Sequence, residues 1–159
     1  MNYKALEKLA LGSGFTHAVP LDPTTISLKQ EVRDMCKNGC QQYARRWSCP
    51  PGCGSLNELR EMICHYKKGI LVQTVTELED EFDWDGMMKA QNRHQEHFHL
   101  FLEKLCAFNP EFLPLGTGCC MICKTCSYPD APCRFPQKRI SSMEACGMVV
   151  SEVCRQNRL

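Results

Sequence analysis

The sequence predicts an α+β protein with a small sheet of about three strands, flanking helices and two irregular cysteine-rich metal-binding loops. Stretches with apolar residues at helical spacing alternate with short apolar runs of strand length. Segments rich in Gly and Pro, which contain most of the cysteines, interrupt these elements. The 159 residues suit one core, so we expect a single cysteine-rich metal-binding domain over 1–159.

The first half of the chain contains three predicted helices and two predicted strands. Apolar residues three or four positions apart indicate the helices, and short runs bounded by Gly or Pro indicate the strands. Ser27 and Ser55 precede the second and third helices, where a serine side chain favours the start of a helix. In chain order the elements are helix 3–11, strand 15–21, helix 28–36, helix 56–66 and strand 69–76.

The second half contains two predicted helices and one predicted strand. Seven apolar residues fall on one stripe of a helix over 84–108. A short strand over 112–115 contains Pro114, which favours an edge of the sheet. Ser141-Ser142 is expected to cap a last helix over 144–154.

Cysteine is the unusual feature of the composition, with 13 of 159 residues. In a secreted protein this would indicate a disulfide framework. The first residues lack the apolar run of a signal peptide, and an odd count does not suit a closed set of disulfides. We therefore expect a cytoplasmic protein with reduced thiols, because clustered cysteines in that compartment usually bind metal.

Charge and hydropathy bear on the choice of partner. The 19 Lys and Arg residues and 18 Asp and Glu residues give a net charge of +1, so nothing favours nucleic acid or an anionic membrane. No run of 18 apolar residues predicts a membrane span. The acidic segment 77–85 is predicted to be a solvated turn, with docking of a basic redox protein as the alternative. The sequence does not indicate an oligomeric state.

The C-terminal cysteine group has the spacing of a cluster-binding loop. Two residues separate each of the first three cysteines, and six separate the third from the fourth; the group is Cys120, Cys123, Cys126 and Cys133. Three thiolates so spaced wrap one face of a 4Fe–4S cluster, as in the bacterial ferredoxin run. The longer last gap leaves open whether Cys133 completes this cluster or binds another. Cys119 is a spare or an alternative ligand.

The N-terminal group is predicted to bind a second cluster or to supply ligands to a shared one. Its intervening gaps are three, eight and three residues, and its members are Cys36, Cys40, Cys49 and Cys53. Gly52 and Gly54 allow backbone N–H groups to approach inorganic sulfide. Arg45-Arg46 would offset the negative charge of a thiolate-bound cluster, and Trp47 would shield it from water.

Zinc is the alternative metal. A structural zinc site uses two Cys pairs that are usually a dozen or more residues apart. The pairs of the N-terminal group are only eight residues apart, and the C-terminal group supplies a third thiol too early for one tetrahedral site. Iron–sulfur is therefore favoured, while a zinc site built from one pair of each group stays open.

Other metal-binding side chains are expected to be structural. His94 and His97 are three positions apart on a predicted helix, but His94 shares the apolar stripe with Phe98 and is predicted to pack there. The cysteines on predicted helices are expected to be small buried residues; they are Cys64, Cys106, Cys146 and Cys154.

Three segments carry a resemblance to a known family: 32–54, which ends in RRWSCPPGCG, 115–136, which contains CKTCSYPDAPCRFP, and the SMEA tail at 142–145. They resemble an uncharacterised family of small cysteine-rich proteins from anaerobic bacteria and archaea, described as predicted metal-binding proteins with a domain of unknown function. In proteins of this family, the cysteines that match Cys53 and Cys119 look less general than those that match the other positions. It implies metal binding at Cys36, Cys40, Cys49, Cys120, Cys123, Cys126 and Cys133.

Together these observations predict an iron–sulfur protein with one or two clusters, most simply 4Fe–4S, and an electron-transfer role. One alternative is a protein in which zinc only stabilises the fold and the surface contacts a partner. The other is an enzyme whose cluster keeps an open iron site at the N-terminal group, which would follow if Cys53 is not a ligand.

Overall fold

The structure of the chain, a computed structural model, describes residues 2–159. These residues form two compact units. Unit 1 comprises residues 2–22, 68–112 and 157–159, and unit 2 comprises residues 23–67 and 113–156. Both cysteine groups therefore belong to unit 2. The assignment of 1–159 to a single domain stays a prediction.

Helices and short strands alternate along the chain and confirm the α+β class. The helices are α1 (Tyr3–Leu11), α2 (Gln30–Gly39), α3 (Leu56–Cys64), α4 (Trp84–Cys106) and α5 (Val150–Gln156). The strands are β1 (His17–Leu21), β2 (Gly69–Gln73), β3 (Leu115–Gly116) and β4 (Ser141–Ser142). Within residues 2–159, no helix combines the length and the apolar character that a membrane span requires.

Unit 1 is built on an antiparallel pair of strands. β1 and β2 align so that His17 lies opposite Gln73 and Leu21 lies opposite Gly69. The buried core of the unit combines α1, β1 and α4; its members are Ala10, Phe15, Ala18, Phe101 and Leu105. The predicted stripe of α4 thus faces the core, and the predicted bounds of this helix are correct within two residues.

Unit 2 contains α2, α3, α5 and the second pair of strands. The predicted cap of α3 is confirmed: the Ser55 side chain accepts a hydrogen bond from the Glu58 N–H, and the Glu58 side chain accepts one from the Ser55 N–H. The predicted Ser27 cap of α2 is wrong. That helix begins at Gln30, and Lys29 precedes it without a capping side chain. The Lys29 ammonium instead pairs with Glu152 at 2.6 Å.

The strand expected over 112–115 forms only at its end and does not join the first sheet. β3 and β4 pair in parallel, with Leu115 opposite Ser141 and Gly116 opposite Ser142. Residues 2–159 therefore contain two sheets of two strands each.

The last helix is shorter than predicted because Ser142 begins a turn. Its hydroxyl accepts a hydrogen bond from the Ala145 N–H at 3.0 Å. Gly147 then takes a φ of +88°, a left-handed conformation that ends the turn. α5 accordingly begins only at Val150.

Candidate metal centre

The N-terminal cysteine group lies where α2 gives way to a series of tight turns. Cys36 is in the last turn of α2, and Cys40 follows the helix with its N–H bonded to the Cys36 carbonyl at 3.2 Å. The Cys53 N–H donates to the Cys49 carbonyl at 3.1 Å, which places these two residues one turn apart. Cys49 is buried and Cys40 is exposed.

The thiols of this group lie close enough to affect each other's protonation. Burial is the main effect that raises the pKa of Cys49 to about 11, against a lowering effect of its hydrogen bond with Ser48. Neighbouring thiols add to the rise, led by Cys119 and followed by Cys40 and Cys53. Burial and then Cys40 raise the pKa of Cys36. Cys119, which the sequence leaves as a spare, is thus a neighbour of the N-terminal group.

Arg33 fixes the end of this segment. Its guanidinium donates to the Cys53 Sγ at 3.6 Å and to two backbone carbonyl oxygens, of Ala145 at 3.0 Å and Gly54 at 2.8 Å. Burial raises the pKa of Cys53, and the positive charge of Arg33 opposes that rise. Sequence reasoning missed this residue, and its only signal is a basic side chain one helical turn before Cys36.

A fully buried cysteine lies beside Arg33 and Cys53. Burial raises the pKa of Cys146 to about 12, with a further rise from Cys53 and an opposing effect of Arg33. Its burial confirms the prediction from the sequence, although the prediction did not place it next to the N-terminal group.

The C-terminal cysteine group lines one pocket in unit 2. All four predicted ligands contribute to its wall: Cys120, Cys123, Cys126 and Cys133. Arg46, Trp47 and Arg139 also line the pocket, and Ile122 and Phe135 give it apolar sides. The structure thus brings four thiols of a fourteen-residue segment to one cavity, together with the arginine and tryptophan that the sequence singled out.

Hydrogen bonds hold the two cysteine segments together beside this pocket. The Arg46 guanidinium donates to the Cys120 carbonyl at 2.9 Å, and the Cys120 N–H donates to the Ser48 hydroxyl at 3.2 Å. The Trp47 indole N–H donates to the Ala131 carbonyl at 3.0 Å, and its ring packs edge-on against Tyr128.

Gly52 permits the close approach of these segments. A Cβ at this position would lie 2.9 Å from the Arg46 carbonyl oxygen and 2.9 Å from a ring carbon of Tyr128. Both distances are shorter than real Cβ contacts. The glycine is therefore required by packing against the second segment.

Cys126 is surrounded by hydrogen-bond donors. Burial alone would raise its pKa, but backbone N–H groups of Trp47, Tyr128 and Ser127 and the charge of Arg46 outweigh burial and lower the pKa. These groups stabilise a thiolate at the pocket. Backbone donors to sulfur of this kind accompany thiolate-bound clusters and tune their potentials.

The donor set fits a thiolate-bound metal group. Sulfur ligands suit zinc and iron–sulfur clusters, and the nearby arginine charges offset the negative charge of several thiolates. In the part of the chain that the structure describes, residues 2–159, no three Cys, His, Asp or Glu side chains converge on a position that would hold a single ion. The C-terminal thiols share a cavity, and the N-terminal thiols share a neighbourhood around Arg33 and Ser48.

Two predictions for the remaining cysteines are wrong. Cys64 and Cys106 are exposed, not buried. Each directly follows a buried residue, Ile63 on α3 and Leu105 on α4, and one position on a helix turns a side chain by about 100° away from the buried face. Cys154 on α5 is partly buried.

His94 on α4 packs as predicted. The His94 ring lies edge-on to Phe15 with 5.4 Å between ring centroids and stacks on Phe98. Its Nδ1 is 2.9 Å from the Thr74 hydroxyl. The His97 ring also lies edge-on to Phe15.

Fold and site together define a small cysteine-rich α+β protein with a thiol-lined pocket in one of its two units. Residues 19–159 match the family described as "Predicted metal-binding protein (DUF2284)", and the chain belongs to that family. This match confirms the family resemblance and, with it, membership of a predicted metal-binding family. Neither a curated protein nor a solved structure matches the chain.

Proposed function

We propose that this protein binds a 4Fe–4S cluster in the thiol-lined pocket of unit 2 and takes part in electron transfer. One observation carries the proposal: four cysteines with ferredoxin-like spacing at their start line a single cavity. The ligands would be Cys120, Cys123, Cys126 and Cys133. When bound, such a cluster accepts or donates one electron.

The residues around the pocket support this assignment. Backbone N–H groups directed at Cys126 favour its thiolate, which is the form that binds iron. Arg46 contributes a positive charge at the pocket and holds the Cys120 carbonyl. Trp47 and Phe135 line the pocket and would shield part of a bound cluster from water.

We assign the N-terminal group to a second cluster or to ligands for a shared one. Its candidate ligands are Cys36, Cys40, Cys49 and Cys53. After burial, which is the main cause, other thiols of the group add to the raised pKa values of Cys36, Cys49 and Cys53. These effects support a common site, and Arg33 would offset part of its negative charge. Cys119 is a further candidate, because its thiol influences Cys49.

The test compares a pocket cysteine with an exposed one. The full chain is purified without oxygen, and iron, acid-labile sulfide, zinc and visible absorption are measured. We expect equal amounts of iron and sulfide, and a visible spectrum that dithionite bleaches. Cys123→Ser should lose most of this iron and sulfide, whereas Cys64→Ser, which changes an exposed thiol outside both groups, should keep them.

The N-terminal assignment is tested by Cys40→Ser, which changes an exposed member of that group. With two clusters, the variant should lose about half of the iron and sulfide and keep the pocket cluster. Colourless protein with stoichiometric zinc, or Cys123→Ser with an unchanged spectrum, contradicts the proposed function.

A further inference from the structure

We propose that the mouth of the thiol-lined pocket is the docking surface for an acidic electron-transfer protein. This inference rests on the proposed function, since the partner is the protein that exchanges electrons with the pocket cluster. This surface, the pocket mouth, comprises residues 121–139 of unit 2.

Exposed apolar side chains belong to the pocket mouth. Ile122 and Phe135 line the pocket and are nevertheless 39 % and 44 % exposed. Met121, which precedes Ile122, is 65 % exposed. Large apolar side chains that are both next to a cofactor pocket and open to solvent favour contact with another protein.

Positive charge predominates in the same stretch of the chain. Four cationic residues lie between or next to residues that line the pocket, namely Lys124, Arg134, Lys138 and Arg139. Asp130 is the one acidic residue in the same stretch of sequence. The Arg134 guanidinium donates to the Thr125 carbonyl at 2.8 Å, which holds this charge close to the second and third cysteines.

The local charge selects the partner. The whole chain has a net charge of only +1, so the excess of positive charge at the pocket mouth is a property of this surface. An apolar centre with a charged rim is the usual composition of a protein interface, and opposite charges on the two rims guide association. The geometry therefore points to a protein partner with an acidic rim around its own redox group.

Docking at this surface would place the two redox groups on either side of one interface. One electron then passes from the reduced group of one protein to the oxidised group of the other. No bond forms or breaks, and the charge of each group changes by one. Ile122 and Phe135 would exclude water from the contact.

The acidic segment 77–85 of unit 1 would select a partner of the opposite charge. It contains six carboxylates, and Phe82 and Trp84 within it are exposed. A basic partner would be expected there. The experiment therefore compares an acidic redox protein with a basic one, so that the two surfaces are distinguished.

The assay measures binding of a labelled plant-type ferredoxin, an acidic 2Fe–2S protein, and of cytochrome c, a basic haem protein, to the full chain at low and high salt. The test variant is Lys124→Glu with Lys138→Glu, at two exposed positions. The control variant is Lys4→Glu with Lys67→Glu, at two exposed positions outside the pocket mouth with the same change in net charge.

We expect the ferredoxin to bind the unmodified chain at low salt and to be released by high salt. The test variant should bind it about tenfold or more weakly, and the control variant should bind it within about twofold of the unmodified chain. Preferred binding of cytochrome c, ferredoxin binding that the test variant retains, or no salt-dependent binding of ferredoxin overturns the proposal. Self-association of the unmodified chain in sedimentation experiments that only the test variant loses also overturns it, because the occupant would then be a second copy.

Metal analysis separates this proposal from the proposed function. If the test variant keeps its iron, sulfide and spectrum while ferredoxin binding falls, the docking surface and the cluster are both supported. If all variants lack iron, the proposed function fails, and the binding assay still shows whether the pocket mouth selects an acidic protein.

Discussion

Gly52→Ala tests the packing between the two cysteine segments with a single methyl group. The added Cβ would lie 2.9 Å from the Arg46 carbonyl oxygen and 2.9 Å from Cε2 of Tyr128, where ordinary contacts begin at 3.4 Å. The first of these atoms belongs to the backbone, so the loop must shift to make room. That shift also moves Trp47, which follows Arg46 and whose N–H is directed at Cys126.

Overpacking of this kind costs about 1–3 kcal/mol. For a chain of this size, each kcal/mol lowers the melting temperature by about 2–4 °C, so we expect a loss of roughly 2–12 °C. Thermal and urea unfolding of the reduced, metal-free protein, followed by circular dichroism, measures the change. The iron and sulfide content of anaerobically prepared protein should fall in parallel.

Gly39→Ala is the matched control. Nothing lies within 4 Å of a Cβ at Gly39, which is the last residue of α2. The substitution should be neutral or should stabilise the protein by up to about 1 kcal/mol, because alanine favours the helix. Equal stabilities of Gly52→Ala and the unmodified protein, or equal losses in both variants, would refute the packing argument.

Three further predictions concern individual side chains. In reduced, metal-free protein at neutral pH, iodoacetamide should modify Cys126 before Cys49. Hydrogen-bond donors outweigh burial and lower the pKa of Cys126, whereas burial raises the pKa of Cys49 to about 11. Peptide mass spectrometry at short times measures the order of modification, and the reverse order contradicts the prediction. Burial lowers the pKa of His94 in the folded protein, and the charge of His97 lowers it further. As the pH falls below about 6.5, His94 therefore takes up a proton more readily in the unfolded chain than in the folded one. The free energy of unfolding should therefore fall with pH in that range by at most about 1.4 kcal/mol per pH unit, and urea titrations should show a smaller fall in His94→Gln than in the exposed-site control His99→Gln. Arg33→Gln should lower the free energy of unfolding by about 1.5–3 kcal/mol, because it removes a charged donor from two carbonyls and from the Cys53 Sγ. Arg60→Gln, which loses an exposed hydrogen bond to Asn57 on the same helix, should change it little, and equal effects of the two variants would contradict the role of Arg33.

The sequence predicted the elements that local signals determine. Ser55 predicted the start of α3, and the apolar stripe of α4 gave its bounds within two residues. The spacing of Cys120, Cys123 and Cys126 predicted a common site and left the place of Cys133 open, and all four thiols line one pocket. Arg46 and Trp47, which the sequence analysis assigned to the N-terminal group, instead line the pocket of the C-terminal cysteines.

Contacts between distant residues were not predictable in the same way. β3 pairs with a strand that begins at Ser141, and Arg33 donates to Ala145, 112 positions away. Neither contact leaves a periodic pattern in the sequence. Ser142 satisfied the local rule for a helix cap but bonds within a turn, since Gly147 prevents the helix from continuing.

Whether a cysteine on a helix is exposed depends on the side of the helix on which its position falls. Cys64 and Cys106 belong to helices with correct predicted positions, but each stands one residue past a buried position. Cysteine is compatible with both environments, so its identity does not decide the matter. The structure makes these two residues suitable controls for the ligand experiments.

The most direct test of the thiol pocket is a count of iron and acid-labile sulfide in the full chain prepared without oxygen. The central claim predicts equal amounts of the two, at about four of each per chain for one cluster and about eight for two. One or two zinc ions per chain and no sulfide would contradict it.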